Sequence, residues 1–361
     1  MTNILDDAVS QKQLDPTNLY LSITDLAKQC QQAFEKASQV KFTPQPVKNL
    51  IMSGMGGSIL AAQVIESLYG RELSVPLIKV NDYHLPAWAD QNSLVVCSSY
   101  SGTTEETVQT LKEALLKKCQ ILVICKGGEL EALAKQHHLP LYKIDPVYNP
   151  CQQPRMAIGY SLIGQLVMVA KAGLLKITEA DIQLIQAVMA QVVQANHRDI
   201  PTTANLAKKL ALEFHLKQVI LVAAEHLTGA GHVVKNQMNE NAKQLSHRHD
   251  LPELNHHLLE GLRFPETNQK DVAFWFVNSK LYSPRLQTRV RLTIDVVKKN
   301  NLSAFAFAPS ADTKFAQVFE LIQFGSFVNY YLSVLNGLNP ALIPWVDYFK
   351  KHLQVPNLQA D

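Results

Sequence analysis

Leu94-Val95-Val96-Cys97-Ser98-Ser99-Tyr100-Ser101-Gly102-Thr103-Thr104-Glu105-Glu106-Thr107 is the stretch that decides the fold. Its first residues are apolar without alternation, which suits a strand covered on both faces. A hydroxyl-rich turn with one glycine follows, and then a helical pattern that runs to residue 118. Strand, turn and helix in that order form one unit of an α/β sheet, and the order recurs on either side. Upstream, Leu50-Ile51-Met52 leads into the turn Ser53-Gly54-Met55-Gly56-Gly57-Ser58 and a helical run at 59–68. Residues 76–80 and 120–125 add two more apolar runs of strand length.

The same register returns in the second half, with strands expected at 218–223, 272–277 and 304–307 and a helix at 284–299. Between the halves, 157–171 and 179–195 read as long helices without a strand signal. Residues 315–335 read as one apolar helix, ended by Gly337 and Pro340. A last helix spans 344–353, with Pro344 suited to its first turn, and a polar tail from Gln354 to Asp361 is expected to fray. The expected fold is α/β, with two doubly wound domains whose mainly parallel sheets are flanked by helices. Their expected bounds are 20–172 for the first, 173–200 for a helical connection, 201–338 for the second and 339–361 for the C-terminal helix and tail.

A chain of 361 residues has room for two such domains, and 47% hydrophobic with 18% charged residues is a globular balance that excludes a disordered or fibrous chain. The 34 basic and 31 acidic side chains leave a net charge of +3 and no like-charged run. That distribution gathers neither nucleic acid nor an anionic membrane, so any bound anion has to be caught locally. The N-terminal residues carry Asp6 and Asp7 and no apolar segment of signal-peptide length, and no stretch reads as a membrane span. A cytoplasmic protein is expected. Cys30, Cys97, Cys119, Cys125 and Cys151 are odd in number and form no zinc or CxxC spacing, which fits a reducing compartment. Cys97 and Cys125 close apolar runs and read as small core side chains.

Chemistry is expected at the two strand-to-helix turns. The GxGG spacing of Gly54 to Gly57 is not the dinucleotide fingerprint. It leaves a glycine loop whose amides and Ser58 hydroxyl suit an anion or a sugar hydroxyl, or a turn that needs glycine only for its backbone angles. In the second turn, Ser101 and Thr104 supply hydroxyls, Gly102 allows close backbone approach, and the helix start supplies unpaired amides with partial positive charge. Together they can hold a phosphate monoester without lysine or arginine. Helix capping by Ser or Thr with Glu105 and Glu106 in the first turn is the plainer account. It leaves the crowding of hydroxyls beside Gly102 unexplained, which favours the phosphate cradle.

These two turns resemble the phosphosugar-binding turns of the sugar isomerase (SIS) domain. Gln153-Pro154-Arg155-Met156-Ala157, Asn239-Glu240-Asn241-Ala242-Lys243 and Pro252-Glu253-Leu254-Asn255-His256 resemble motifs of the bifunctional phosphoglucose/phosphomannose isomerase family. The series follows the family order from about residue 49 to residue 352. The resemblance implies an aldose–ketose isomerase that interconverts glucose 6-phosphate and fructose 6-phosphate, and extends to mannose 6-phosphate. Such chemistry asks for a base for the carbon-bound proton, a cation beside the enediolate oxygen and groups that open the sugar ring.

By the resemblance, Glu240 is the base, Arg155 holds the enediolate charge, and His256 and Lys350 open the ring. The phosphate of the hexose 6-phosphate docks on Ser58, Ser99, Ser101 and Thr104, and Gly56 and Gly57 form the substrate loop. Lys350 is preferred to Lys351 because it follows the apolar Phe349 as in the family. No metal or other cofactor is expected, and the partner is a second copy whose His256 reaches the neighbouring active site. From the residues alone, Glu240 reads better as a helix-surface carboxylate, Arg155 reads also as a surface arginine after Pro154, and the Lys350-Lys351 pair as cations at a helix C-terminus. His247, His249, His256 and His257 invite a metal reading, but their spacing matches no zinc motif.

The sequence also departs from the family pattern. Thr103 and His257 stand where asparagine is usual, Ala223 to Thr228 lacks a glycine-rich turn, and Asn339 to Ile343 lacks a threonine linked to tolerance of both C2 epimers. Mannose 6-phosphate is accordingly the less secure substrate. Two rivals remain. A non-catalytic phosphosugar-binding SIS regulator would need the second turn but not Glu240, Arg155 and His256 together. An amidotransferase would need an N-terminal nucleophilic cysteine, and Met1-Thr2-Asn3 offers none.

Overall fold

Among residues 4–353, which the computed structural model describes, nine strands form two sheets and every strand pairing is parallel. The first sheet holds β1 (Asn49–Ser53), β2 (Leu77–Val80), β3 (Ser93–Ser99), β4 (Gln120–Cys125) and β5 (Leu141–Lys143), in the order β2-β1-β3-β4-β5. The second holds β6 (Gln218–Ala224), β7 (Ser246–Leu251), β8 (Val272–Val277) and β9 (Ser303–Phe307), in the order β7-β6-β8-β9. The helices before β5 are α1 (Ala8–Leu14), α2 (Leu19–Thr24), α3 (Leu26–Ser38), α4 (Gly57–Tyr69), α5 (Glu105–Leu116) and α6 (Gly128–Gln136). After it come α7 (Ile158–Lys171), α8 (Glu179–Asn196), α9 (Leu206–Phe214), α10 (Thr228–Gln237), α11 (Asn268–Asp271), α12 (Pro284–Lys299), α13 (Lys314–Leu335) and α14 (Pro344–Leu353). The tail from Gln354 lies outside the described residues.

The unbroken apolar runs have the physical cause the sequence suggests. Leu50, Met52, Leu94, Val96, Leu122 and Ile124 point into one core, while Ile51, Val95, Cys97, Ile121 and Val123 point into another. Since side chains alternate across a strand, both faces of β1, β3 and β4 are covered and neither tolerates polar residues. Cys97 and Cys125 are buried there as free thiols. Trp275, at 0% exposure in β8, packs its ring on Phe214 and Phe324. Truncating it to alanine would cost about 3–5 kcal/mol by the usual cavity penalty.

Three elements differ from expectation. The edge strand β7, Ser246-His247-Arg248-His249-Asp250-Leu251, buries only its end residues, so it carries no apolar signal, and β5 is too short to carry one. Helix α13 overturns the expectation that no stretch is suited to a membrane span. It has 22 residues, long and apolar enough to cross one, yet 94% of its apolar window is buried, with the helix packed against α8, α9 and α10. Buried Gln317, Gln323 and Asn329 along it donate to backbone carbonyls of the surrounding chain.

In the first sheet, strand order reverses between β1 and β3: the connection from β1 leads out to β2, and that from β3 to β4 on the opposite side. The crevice beyond the C-terminal ends of those two strands is where open α/β sheets take ligands. Both quoted turns are at that crevice. Helix α10 packs on α4 so closely that a Cβ on Gly229 would fall 2.5 Å from the Val64 Cα. This contact brings the second half of the chain to the mouth of the crevice.

Candidate active site

The turn after β3 gathers its hydroxyls. Ser99 Oγ lies 2.7 Å from Thr104 Oγ1 and 3.4 Å from Ser101 Oγ, and it accepts from the Gly102 N–H at 3.1 Å. Thr103, at the position that departs from the family, joins this cluster by donating through N–H and hydroxyl to Ser101 Oγ at 3.3 and 3.1 Å. Thr104 is the N-cap of α5, but its hydroxyl caps no amide. The plain capping account therefore does not explain it. Gly102 sits at φ 75°, and a Cβ there would fall 1.7 Å from Gly127 O, so only glycine fits.

The glycine turn after β1 is bonded to this one. Ser58 Oγ accepts from the Tyr100 N–H at 3.1 Å, and Gln165 Nε2 donates to Ser58 O at 2.9 Å and to Ser98 Oγ at 3.0 Å. Ser58 is buried and ties the turns together, which leaves its hydroxyl proton as what it can offer a ligand. Gly56 takes φ 49°, the left-handed region. A Cβ on Gly57 would approach Pro154 O at 3.2 Å and Arg155 N at 3.3 Å, so the glycine turn rests on the turn that carries Arg155.

Arg155 stands on a 3-10 turn, Pro154–Met156, with only 1% exposure. Burying a guanidinium costs several kcal/mol unless its donors are met. Here all five are: Nε donates to Asn241 Oδ1, Nη1 to Gln153 Oε1 at 2.9 Å and to Glu240 Oε2 at 3.3 Å, and Nη2 to the Pro340 and Ala341 carbonyls at 2.9 Å each. Burial lowers its pKa and Glu240 opposes that shift. Gln237 Nε2 fixes the backbone by donating to Arg155 O at 3.1 Å.

Glu240 lies where α10 widens into a π-helical turn, Met238–Ala242. Such turns recur at functional sites because they displace one side chain from the helical ladder. The half-buried carboxyl has its pKa raised by desolvation, against the lowering effect of Arg155, Lys350 and Lys243. A carboxylate held above its ordinary range beside a fixed cation has the character of a proton-shuttling base.

Lys350 and Asp347 lie on α14, every residue of which is exposed, and their charges bear on Glu240 and Arg155 respectively without a hydrogen bond or ion pair to either. The helix also exposes Trp345, Tyr348 and Phe349. His256 ends the 3-10 turn Glu253–His256 after β7 and is exposed, without a hydrogen bond or ion pair among the described residues. The single chain thus joins Arg155 to Glu240 and gathers Ser58, Ser99, Ser101 and Thr104 at the crevice, while Lys350 stays exposed on α14 and His256 is exposed without a side-chain partner among the described residues. His249 and His257 have their rings 5.9 Å apart. No three His, Cys, Asp or Glu side chains group as a metal site among the described residues.

The second sheet has a corresponding crevice beyond β6 and β8, and the chain fills it. Tyr282 Oη accepts from the Ala224 N–H at 3.1 Å, Glu225 Oε1 accepts from the Ser283 N–H at 3.2 Å, and Gln317 Oε1 bonds both Ser279 Oγ and His226 Nε2. This accounts for the missing glycine turn: nothing needs to approach the backbone there. Sequence reasoning gave no part to Gln153, Asn241, Pro340 and Ala341. Gln153 and Asn241 stood inside the quoted motifs, whereas the two carbonyls carry no side-chain signal at all.

Residues 203–353 match the family described as the bacterial phospho-glucose isomerase C-terminal SIS domain. The chain is 28% identical over 341 residues to the bifunctional phosphoglucose/phosphomannose isomerase of Caldicellulosiruptor bescii, covering 93% of this chain and 98% of that one. It is 27% identical to the enzyme of the same name from Thermoplasma acidophilum, covering 84% and 89%. A hypothetical protein from Thermus thermophilus shares the fold, with a TM-score of 0.73 at 17% identity over 96% of this chain and 94% of that one.

Proposed function

We infer the reaction from the family to which this chain belongs, the bifunctional phosphoglucose/phosphomannose isomerases, and from the charges gathered around Glu240. The protein is an isomerase that interconverts glucose 6-phosphate or mannose 6-phosphate with fructose 6-phosphate. The observation that carries the mechanism is the contact of Glu240 Oε2 with Arg155 Nη1 at 3.3 Å inside a buried network. In the proposed reaction, the substrate phosphate rests on Ser99, Ser101 and Thr104 at the α5 N-terminus, with Ser58 beside them, and the sugar lies along Gly56 and Gly57 toward Glu240. Lys350 assists ring opening, and the Glu240 carboxylate takes the C2 proton of the open aldose. The C–H electron pair forms a C1–C2 double bond and displaces the carbonyl pair onto the C1 oxygen, giving the cis-enediolate. The hydroxyl proton then passes from the C2 oxygen to the C1 oxygen, and as the C2 carbonyl forms, the double-bond pair takes the proton back from Glu240 at C1 to give the ketose. Arg155 supplies a fixed positive charge to the cis-enediolate. Its five donors are already engaged, so its contribution is the field of a pre-set cation, or one bond yielded by Gln153 or Glu240.

His256 completes the proposed site from the second copy of a homodimer. Its exposure and its lack of partners within the described chain support this reading. For the mannose substrate, Asn339 to Ile343 carries no threonine, and Pro340 and Ala341 there give their carbonyls to Arg155, so tolerance of both C2 epimers would rest on other groups. A coupled assay with fructose 6-phosphate, glucose 6-phosphate and mannose 6-phosphate, run with and without chelator, tests the proposal. Turnover of all three unaffected by chelator is expected; inactivity on all three would favour the phosphosugar-binding regulator.

A further inference from the structure

Lys243 closes the π-helical turn that carries Glu240. Its backbone takes φ 52°, the left-handed region that a lysine enters at a cost, with its N–H bonded back to Met238 O. The residue is exposed, but its ammonium is held by three carbonyls: Asn339 O at 2.7 Å, Asn241 O at 3.1 Å and Pro340 O at 3.3 Å. An ammonium has three protons, so this set leaves none for a substrate. Pro340 O also accepts from Arg155 Nη2 at 2.9 Å, so one carbonyl is shared by the two cations. Desolvation and the like charge of Arg155 lower the Lys243 pKa to about 8, against the opposing effect of Glu240. The lysine is therefore held in an electrostatically unfavourable place by carbonyl dipoles.

Through these bonds Lys243 joins the turn of the proposed base to the Asn339–Pro340 segment, from which α14 and Lys350 depart. We infer that Lys243 is a positioning residue for the isomerisation, clamping that segment to the π turn so that Arg155, Glu240 and Lys350 keep one arrangement. The inference rests on the proposed roles of Glu240 and Arg155. A small displacement of such a group can cost a large factor in turnover without changing how the phosphate end binds.

Steady-state kinetics on fructose 6-phosphate with K243M, K243R and E240Q, together with melting temperatures, test it. K243M should lower kcat by about tenfold or more while KM stays within about threefold, since the phosphate cradle is untouched. Its melting temperature should stay within a few degrees of the parent. K243R, which keeps charge and enough donors for the carbonyls, should recover most of kcat. Parent-like kcat in K243M, or K243R no better than K243M, overturns the inference; so does a loss of kcat that merely follows a fall in melting temperature. If K243M does not fold, K243Q takes its place under the same criteria. Full activity of E240Q would overturn the base assignment and this inference with it, whereas an inactive E240Q beside an active K243M overturns the inference alone.

Discussion

Arg155 Nη1 donates to Glu240 Oε2 across 3.3 Å, with the arginine 1% and the glutamate 32% exposed. The two come from opposite halves of the chain, and the asymmetry of their burial divides the work. Arg155 is locked by five acceptors and can serve as a fixed field; Glu240 has one bonded oxygen and an open side from which to meet a carbon-bound proton.

Replacing Glu240 by glutamine should therefore keep shape and binding but remove the base. A loss in kcat of about 10²–10⁴, the usual worth of a positioned general base, is expected with KM little changed. Exchange of the substrate C2 hydrogen with solvent should fall by the same factor, and exchange at the parent rate in E240Q would transfer the role to another group.

The pH dependence follows from the sign of the shift at Glu240. Burial raises its pKa, and the base works only as carboxylate, so kcat/KM should rise with pH through a value above the ordinary carboxylate range and be lost below it. Lys350 lowers that pKa by its charge. K350M should move the acid limb further up, while K351M should leave it in place; an acid limb in the ordinary Glu range would contradict the burial of the carboxyl.

Much of this site was legible in the sequence, and the illegible parts share a cause. The turn Ser99 to Thr104 stood out because a strand covered on both faces must be apolar up to its last residue, so its polar end is conspicuous. Strand β7 did not, since an edge strand that buries only Ser246 and Leu251 shows no alternation. The acceptors that fix Arg155 at Pro340 and Ala341 are backbone carbonyls, for which the residue type is nearly silent. The π turn was equally silent, because the register of one widened helical turn depends on what packs around it. The proposed place of His256 would be a property of two chains, and one sequence states it only through the resemblance.

The shared site can be tested by mixing inactive variants. If His256 serves the neighbouring pocket, E240Q and H256A subunits unfolded and refolded together should form mixed dimers with one intact site each. About a quarter of parent activity is expected from an equal mixture, given random pairing of subunits in a twofold-symmetric dimer. Recovery no greater than the sum of the separate variants would place His256 in its own chain's site or outside the chemistry.

Gly102 and Gly173 both have positive φ, at 75° and 78°, but only Gly102 has a neighbour within reach of a Cβ. G173A should cost about 1 kcal/mol for the left-handed backbone alone. G102A carries that cost and a clash with Gly127 O, so a loss of at least about 2 kcal/mol in denaturant unfolding is expected. Any folded fraction should show a raised KM, because the Ser99 hydroxyl that accepts from the Gly102 N–H moves with the turn. Equal stability and equal KM in the two variants would deny the close packing of Gly102.

The filled crevice of the second sheet gives the converse test. Tyr282 is 2% exposed, and its hydroxyl oxygen is the acceptor for the Ala224 N–H, so Y282F leaves a buried donor unmet. A loss of about 1–3 kcal/mol in stability is expected. Substrate kinetics should not change, because the proposed substrate crevice is the one at β1 and β3, and the β6–β8 crevice is occupied by Tyr282, Gln317 and their partners. A raised KM in Y282F at parent-like stability would instead mean that the second crevice opens to admit substrate, and the single-crevice reading would then have to be abandoned.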